Sequence, residues 1–174
     1  MWSQTLSKLG TVLAQLTALH PKKIDLGLDR IERVLKALGN PHLKLPPAVH
    51  IAGTNGKGST TAFLRAMIEA EDKTAHIYTS PHLVRFNERM TVASQQIDDE
   101  VLLDVLQRVM EANGGEPLSF FEATTAVAFL AFSERPADYA LIEVGLGGRY
   151  DATNVFDPAV SICLLYTSPS PRDS

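Results

Sequence analysis

"AVHIAGTNGKGSTTAFL" (Ala48 to Leu64) is the stretch on which the fold turns. A short apolar run, Ala48 to Ala52, leads into a glycine-bearing loop. From Ser59 the apolar residues Phe63, Leu64, Met67 and Ile68 recur as they do along a helix. Strand, glycine loop and helix in that order is the setting in which backbone N–H groups and a helix N-terminus cradle phosphate oxygens. The loop departs from the common form G-x-x-x-x-G-K-[ST], in which a hydroxyl directly follows the lysine. Here Lys57 is followed by Gly58, with Ser59 and Thr60 only afterwards, and Gly53 stands closer to Gly56 than that form allows. Two readings follow: a nucleotide loop whose metal ligand lies elsewhere, or a tight turn that carries an exposed lysine.

Working outward, the pattern alternates strand and helix. "SQTLSKLGTVLAQLTALH" spaces its apolar residues as an amphipathic helix, weakened at Gly10. Leu28, Ile31, Val34, Leu35 and Leu38 share one helical face that Gly39-Asn40-Pro41 ends. "TAHIYTS" reads as a strand, completing a βαβ unit with Ala48 to Ala52. "PHLVRFNERM" has no clean period and reads as an ordered loop before a short strand, "MTVA". "DDEVLLDVLQRVMEANGG" reads as a helix with acidic residues first and a glycine pair last. Ser119 and Glu122 form an S-x-x-E capping box at the head of the helix "FFEATTAVAFLAF". "YALIEVGL" reads as a strand buried on both faces, and "AVSI" as the start of another buried strand. The alternation predicts an α/β fold, a P-loop-containing, mostly parallel sheet flanked by helices.

Composition sets the bounds. The chain has 174 residues, enough for one domain, with 45% hydrophobic residues. A net charge of −4 gives no electrostatic reason to expect nucleic acid or an anionic membrane as partner, so local basic groups must hold any anionic ligand. No run is long enough to span a membrane and "MWSQTLSKLG" lacks a secretory layout, so a cytoplasmic protein is expected. The last residues, "CLLYTSPSPRDS", read either as a flexible Ser/Pro-rich terminus or as translated sequencing-library adapter. The second reading is preferred: residues 1–162 then belong to the protein, residues 163–174 form a non-native tail, and Cys163 carries no meaning.

Glu143 interrupts an otherwise apolar strand, where an ionised carboxylate costs several kcal/mol unless paired or bound to metal. The plain alternative is a local ion pair with Arg149. In an open parallel sheet ligands bind at the carboxyl ends of the strands, and Gly53, Ser80 and Glu143 each follow or end a predicted strand. Glu143 and the Ser80 hydroxyl can therefore hold Mg²⁺ against phosphates, an ion that takes few protein oxygens. His82, Arg85 and Arg89 gather beside Phe86 in a loop suited to an anionic, ring-bearing substrate, or else form a solvated basic loop. The capping box needs no function to explain it. His20, His42, His50 and His76 show no metal-ligand spacing and read as structural or surface residues. No N-K-x-D motif for reading guanine is present.

"DLGLDRIERVLKALGNP", "HIAGTNGKGST", "SPHLVRFNERM", "SFFEATTAVAF" and "EVGLGGRYDATN" together resemble the folylpolyglutamate synthase/dihydrofolate synthase family of the Mur-ligase superfamily, in family order across Asp25 to Pro158. The shifted G-T-N-G-K-G-S loop is itself characteristic of that family. The resemblance implies an ATP- and Mg²⁺-dependent ligase, active on small molecules as a monomer. It adds L-glutamate to dihydropteroate or folate through an acyl phosphate. It implies that Thr54, Asn55, Gly56, Lys57, Gly58 and Ser59 bind ATP, that Lys57 and Glu143 serve catalysis, and that Ser80 and Glu143 hold the metal. It places Ile24, Asp25, Leu26 and Gly27, then Ser119, Phe120, Phe121 and Glu122, then Tyr150, Asp151 and Ala152, against the pterin substrate. His82, Arg85 and Arg89 lie in the substrate loop. A further metal-binding histidine, a modified lysine and a C-terminal domain of that family have no counterpart here, so the expectation is an N-terminal part that is inactive by itself. The rival readings are another Mur-type ligase of cell-wall synthesis and a non-catalytic nucleotide-binding fragment.

Overall fold

A computed structural model describes residues 2–18 and 27–164. The helices are α1 (Trp2–Ala18), α2 (Asp29–Ala37), α3 (Lys57–Ala70), α4 (Asp99–Asn113) and α5 (Phe120–Ser133). The strands are β1 (Ala48–Gly53), β2 (Ala75–Tyr78), β3 (Met90–Val92), β4 (Gln95–Gln96), β5 (Tyr139–Glu143) and β6 (Val160–Leu164). They form one sheet in the order β4-β3-β2-β5-β1-β6. The β6, β1, β5 and β2 strands run parallel, and β3 and β4 add an antiparallel hairpin to β2. The crossover from β1 through α3 to β2 thus leaves room for β5 between its two strands.

The sequence explains most of these elements locally. Glycine at 56 adopts φ 81° ahead of α3, a left-handed conformation costly for other residues, and Gly114 ends α4 at φ 65°. The predicted capping box heads α5: the Ser119 hydroxyl accepts the Glu122 N–H (3.1 Å) and the Glu122 carboxylate accepts the Ser119 N–H (2.7 Å). Helix α3 begins at Lys57, two residues before the expected start at Ser59, so the loop lysine lies in the first helical turn.

Two layers cover the sheet unequally. On one face α5, with α1, α2 and α4 behind it, buries Phe129, Phe132, Leu106 and Tyr78 in the main core. On the other face α3 lays Leu64 and Ile68 on Ala75, Ile77 and Leu141, while Phe63 and Met67 face outward. One expectation fails here. The "AVSI" strand was expected to be buried, yet β6 pairs only with β1, with Val160 and Cys163 exposed, because no described element covers its outer edge or faces. The strand runs to Leu164.

His76 shows why the histidines read as structural. It is fully buried on β2, stacked on Phe132 (4.6 Å between centroids). The Ala93 N–H donates to Nδ1 (3.1 Å), and Nε2 lies 3.0 Å from the Arg135 carbonyl. This pairing requires the neutral ring with its proton on Nε2, and burial pushes the His76 pKa below the ordinary 6.5, against the Arg135 carbonyl. A depressed folded pKa means the stabilising contribution is complete above the unfolded value and is lost as pH falls through the folded one. His50 is lowered in the same sense. Urea unfolding at about pH 7.5 and about pH 5.5 should therefore show lower stability at the acid value, and His76→Gln should shrink that difference. An unchanged difference in the variant would remove His76 from the account.

Candidate functional site

The parallel ladder brings the glycine loop and Glu143 together. Glu143 pairs in register with Ile51, two residues before Gly53, and Val144 N–H donates to the Ile51 carbonyl at 2.9 Å. The carboxylate is therefore delivered to the side of the loop by strand pairing alone. Lys57 turns back across the loop: Nζ donates to the Gly53 carbonyl at 2.9 Å and lies 4.0 Å from Glu143 Oε1. The cation beside Glu143 is thus Lys57, and the alternative pairing with Arg149 is not formed.

Ser80 lies two residues beyond β2, and its backbone N–H is close enough to the Glu143 carboxylate to favour the charged form. Burial pushes the Glu143 pKa above its ordinary value of 4.5, opposed by the Lys57 charge and the Ser80 N–H. Glu143 is 4% exposed, so a buried carboxylate stands at the carboxyl edge of the sheet beside a helix N-terminus. Its donor set is hard oxygen, with Lys57 Nζ 4.0 Å from Oε1, and that chemistry would suit a divalent cation. Among the described residues no cluster of three or more His, Cys, Asp or Glu forms a metal cage. Thr54, Asn55, Gly58 and Ser59 are exposed on the same loop and first turn of α3.

The second expected group splits. Arg85 is taken by Asp99, to which Nη2 donates at 2.8 and 2.7 Å. Arg89 is buried, and its Nε donates to His82 Nδ1 at 2.8 Å. Glu88 closes the loop by accepting the N–H groups of Leu83, Val84 and Arg85. Glu122 is committed to the cap and to Arg30, whose Nε and Nη2 lie 3.1 Å from its oxygens, so it ties α2 to α5. Phe121 covers the end of β5: a Cβ added at Gly145 would lie 2.2 Å from its ring. Ile24, Asp25 and Leu26 lie outside the described residues, and Gly27 lies within them. A cavity of about 260 Å³ lies elsewhere, among Gln95, Ile97, Val101 and Arg135.

Tyr150 is exposed but Asp151 is buried in a network that the sequence reading missed. Its carboxylate accepts the Leu146 N–H (2.7 Å), the Thr153 N–H (3.0 Å) and the Thr153 hydroxyl, whose oxygen lies 2.8 Å from His50 Nε2. His50 sits on β1, so this chain of contacts fastens the loop after β5 to the strand that carries the glycine loop. The one signal in sequence was a histidine inside an apolar strand, and the spacing gave no hint of its partner. Ala152 is buried beside it in the main core.

The chain is 40% identical over 160 residues to the dihydrofolate synthase/folylpolyglutamate synthase of Escherichia coli, a match that covers 91% of this chain. It is a homologue of that family. The chain spans 37% of the length of that relative. Among solved structures, Escherichia coli FolC in complex with DHPP and ADP superposes with a TM-score of 0.83 at 38% identity, covering 89% of this chain and 37% of that one. A bifunctional folylpolyglutamate synthase/dihydrofolate synthase with Mn, AMPPNP and L-glutamate bound gives a TM-score of 0.82 at 34% identity, with 89% and 37% covered. No family model matches the chain. This chain therefore shares the α/β architecture of the part of those structures it covers.

The Lys57–Glu143 pairing makes a prediction that needs no ligand. Lys57→Met removes the charge that holds the Glu143 pKa down, so the carboxyl should titrate at higher pH in the variant. Carboxyl-carbon NMR titration reads this directly, and an unchanged or lower pKa would show that Lys57 is not coupled to Glu143.

Proposed function

We propose that this chain is the nucleotide-binding part of an ATP-dependent ligase that adds L-glutamate to dihydropteroate or to a folate. The observation that carries the reading is the convergence of the glycine loop, Lys57, Ser80 and Glu143 at one sheet edge. The relatives solved with ADP, AMPPNP, Mn, DHPP and L-glutamate support it.

In this reading the loop N–H groups from Thr54 to Ser59 and the N-terminus of α3 receive the phosphates. Lys57 exchanges its contact with the Gly53 carbonyl for the terminal phosphate oxygens and draws off charge as the phosphoryl group moves. Glu143 and the Ser80 hydroxyl would hold Mg²⁺, which would supply charge neutralisation of the phosphates. The acceptor carboxylate oxygen bonds to the γ-phosphorus as ADP leaves. The amine of L-glutamate then bonds to the acyl carbon as phosphate leaves, giving up its proton to solvent or a base. A carboxylate is a poor electrophile and phosphorylation supplies the leaving group, so no side-chain nucleophile is needed. Phe120, Phe121, Tyr150, Asp151 and Ala152 line the pterin side, and the whole enzyme works as a cytoplasmic monomer.

The 174-residue chain supplies one side of this site, matching 37% of the length of the Escherichia coli relative. Calorimetry with ADP and Mg²⁺ should detect binding to it. Lys57→Ala should weaken that binding by about tenfold or more, and Glu143→Gln should remove its dependence on Mg²⁺. Binding unaffected by both changes would overturn the nucleotide assignment. The chain alone should incorporate no glutamate into dihydropteroate, and measurable incorporation would show that its own residues complete the site.

A further inference from the structure

The cavity of about 260 Å³ lies between the β3–β4 hairpin, the start of α4 and the end of α5. The hairpin turn packs on Ala75, the first residue of β2, so this is the amino end of the parallel strands, away from Lys57 and Glu143. One buried side chain joins two of its walls. His76 Nδ1 accepts the Ala93 N–H of the turn, and Nε2 donates to the carbonyl of Arg135 just past α5. Ala93 and Ser94 make the turn with φ 47° and 66°, left-handed values that cost free energy in residues other than glycine. Further contacts hold them there. Ser94 N–H donates to the Ala75 carbonyl at 2.8 Å, the Ser94 hydroxyl accepts the Ala75 N–H at 3.1 Å, and Arg65 Nη2 donates to the Ser94 carbonyl at 3.1 Å. The cavity is therefore formed before any ligand arrives, and binding need not order its walls.

Two opposite charges line this space without meeting. Arg135 is exposed, and among the described residues no carboxylate pairs with it. Asp98 holds the N-cap position of α4, where a carboxylate ordinarily accepts the first helical N–H groups. It makes no such bond, and no cation among the described residues pairs with it. The third charge of the lining, Glu134, has both oxygens taken by Arg108. Val92, Ile97, Val101 and Ala131 add apolar surface to the same walls.

We propose that this cavity binds a free α-amino acid with an apolar side chain, its carboxylate on Arg135 and its ammonium on Asp98. A zwitterion answers both unpaired charges, whereas a singly charged ligand answers one. Phosphate is disfavoured because the single guanidinium shares the lining with two carboxylates. A divalent cation would find only Asp98 uncommitted among the lining carboxylates. L-Glutamate would bring a second carboxylate against apolar walls. Pockets for drug-sized ligands hold about 300–1,000 Å³, so a smaller molecule suits this one. The site lies apart from the nucleotide edge and requires no part of the proposed function.

The test titrates the intact chain with L-leucine, with L-leucinamide, which lacks the carboxylate, and with 4-methylpentanoate, which lacks the ammonium. Backbone amide NMR shifts of Ala93, Ile97 and Val101 report binding at the cavity. L-Leucine should bind about tenfold more tightly than either analogue. Arg135→Met should erase the preference over the amide and keep the preference over 4-methylpentanoate, and Asp98→Asn should do the reverse. Equal binding of the three probes overturns the proposal, as does the absence of shifts at these residues with about 10 mM L-leucine. Tighter binding of L-glutamate than of L-leucine overturns the apolar assignment and gives the cavity to the acidic amino acid instead.

Discussion

Everything at the carboxyl edge depends on β5 lying between β1 and β2. Parallel pairing fixes which residues stand side by side, and a slip of one residue would turn every side chain of the strand to the other face. In the observed register Glu143 comes level with Ile51 and Leu141 with Ile77. The acidic group therefore emerges where the glycine loop begins, and the apolar residues before it enter the two cores. The energy of burying Leu141 and Ile142 on both faces of the sheet is what holds a carboxylate where solvent alone would not keep it.

Once that register is set, the loops are fastened to it by polar contacts of unequal reach. Glu88 binds three N–H groups within five residues of itself, a closure that the local sequence supplies. Glu122 and Arg30 join segments 92 residues apart, and His50 and Thr153 are separated by 103. Such distant pairs are satisfied only after the sheet has formed, so they select the finished packing over near alternatives instead of directing its assembly.

The same distinction explains what could be read beforehand. The strand–loop–helix order, the S-x-x-E cap and the glycine that ends α4 are local signals, and each stands where its pattern places it. Glu143 was legible because a charge in an apolar strand demands compensation, and the partner it found was Lys57 rather than Arg149. Arg85 and Arg89 looked equivalent in sequence. Only packing separates a cation neutralised by Asp99 from one lodged between Phe86 and Phe120. The burial expected of β6 failed for a related reason: an apolar run says that a strand can be covered, not that a neighbour is there to cover it.

Gly53 meets β6 more closely than any other residue could. Its backbone adopts φ 147°, and a Cβ there would lie 2.7 Å from Leu164 Cβ and from the Leu164 carbonyl oxygen. The glycine loop is thus braced on one side by an edge strand, paired with β1 only. Opening of that strand, which takes far less free energy than global unfolding, would release the brace while the core stays intact. Hydrogen exchange in the loop would then follow the fraying of β6 and not the stability of the domain.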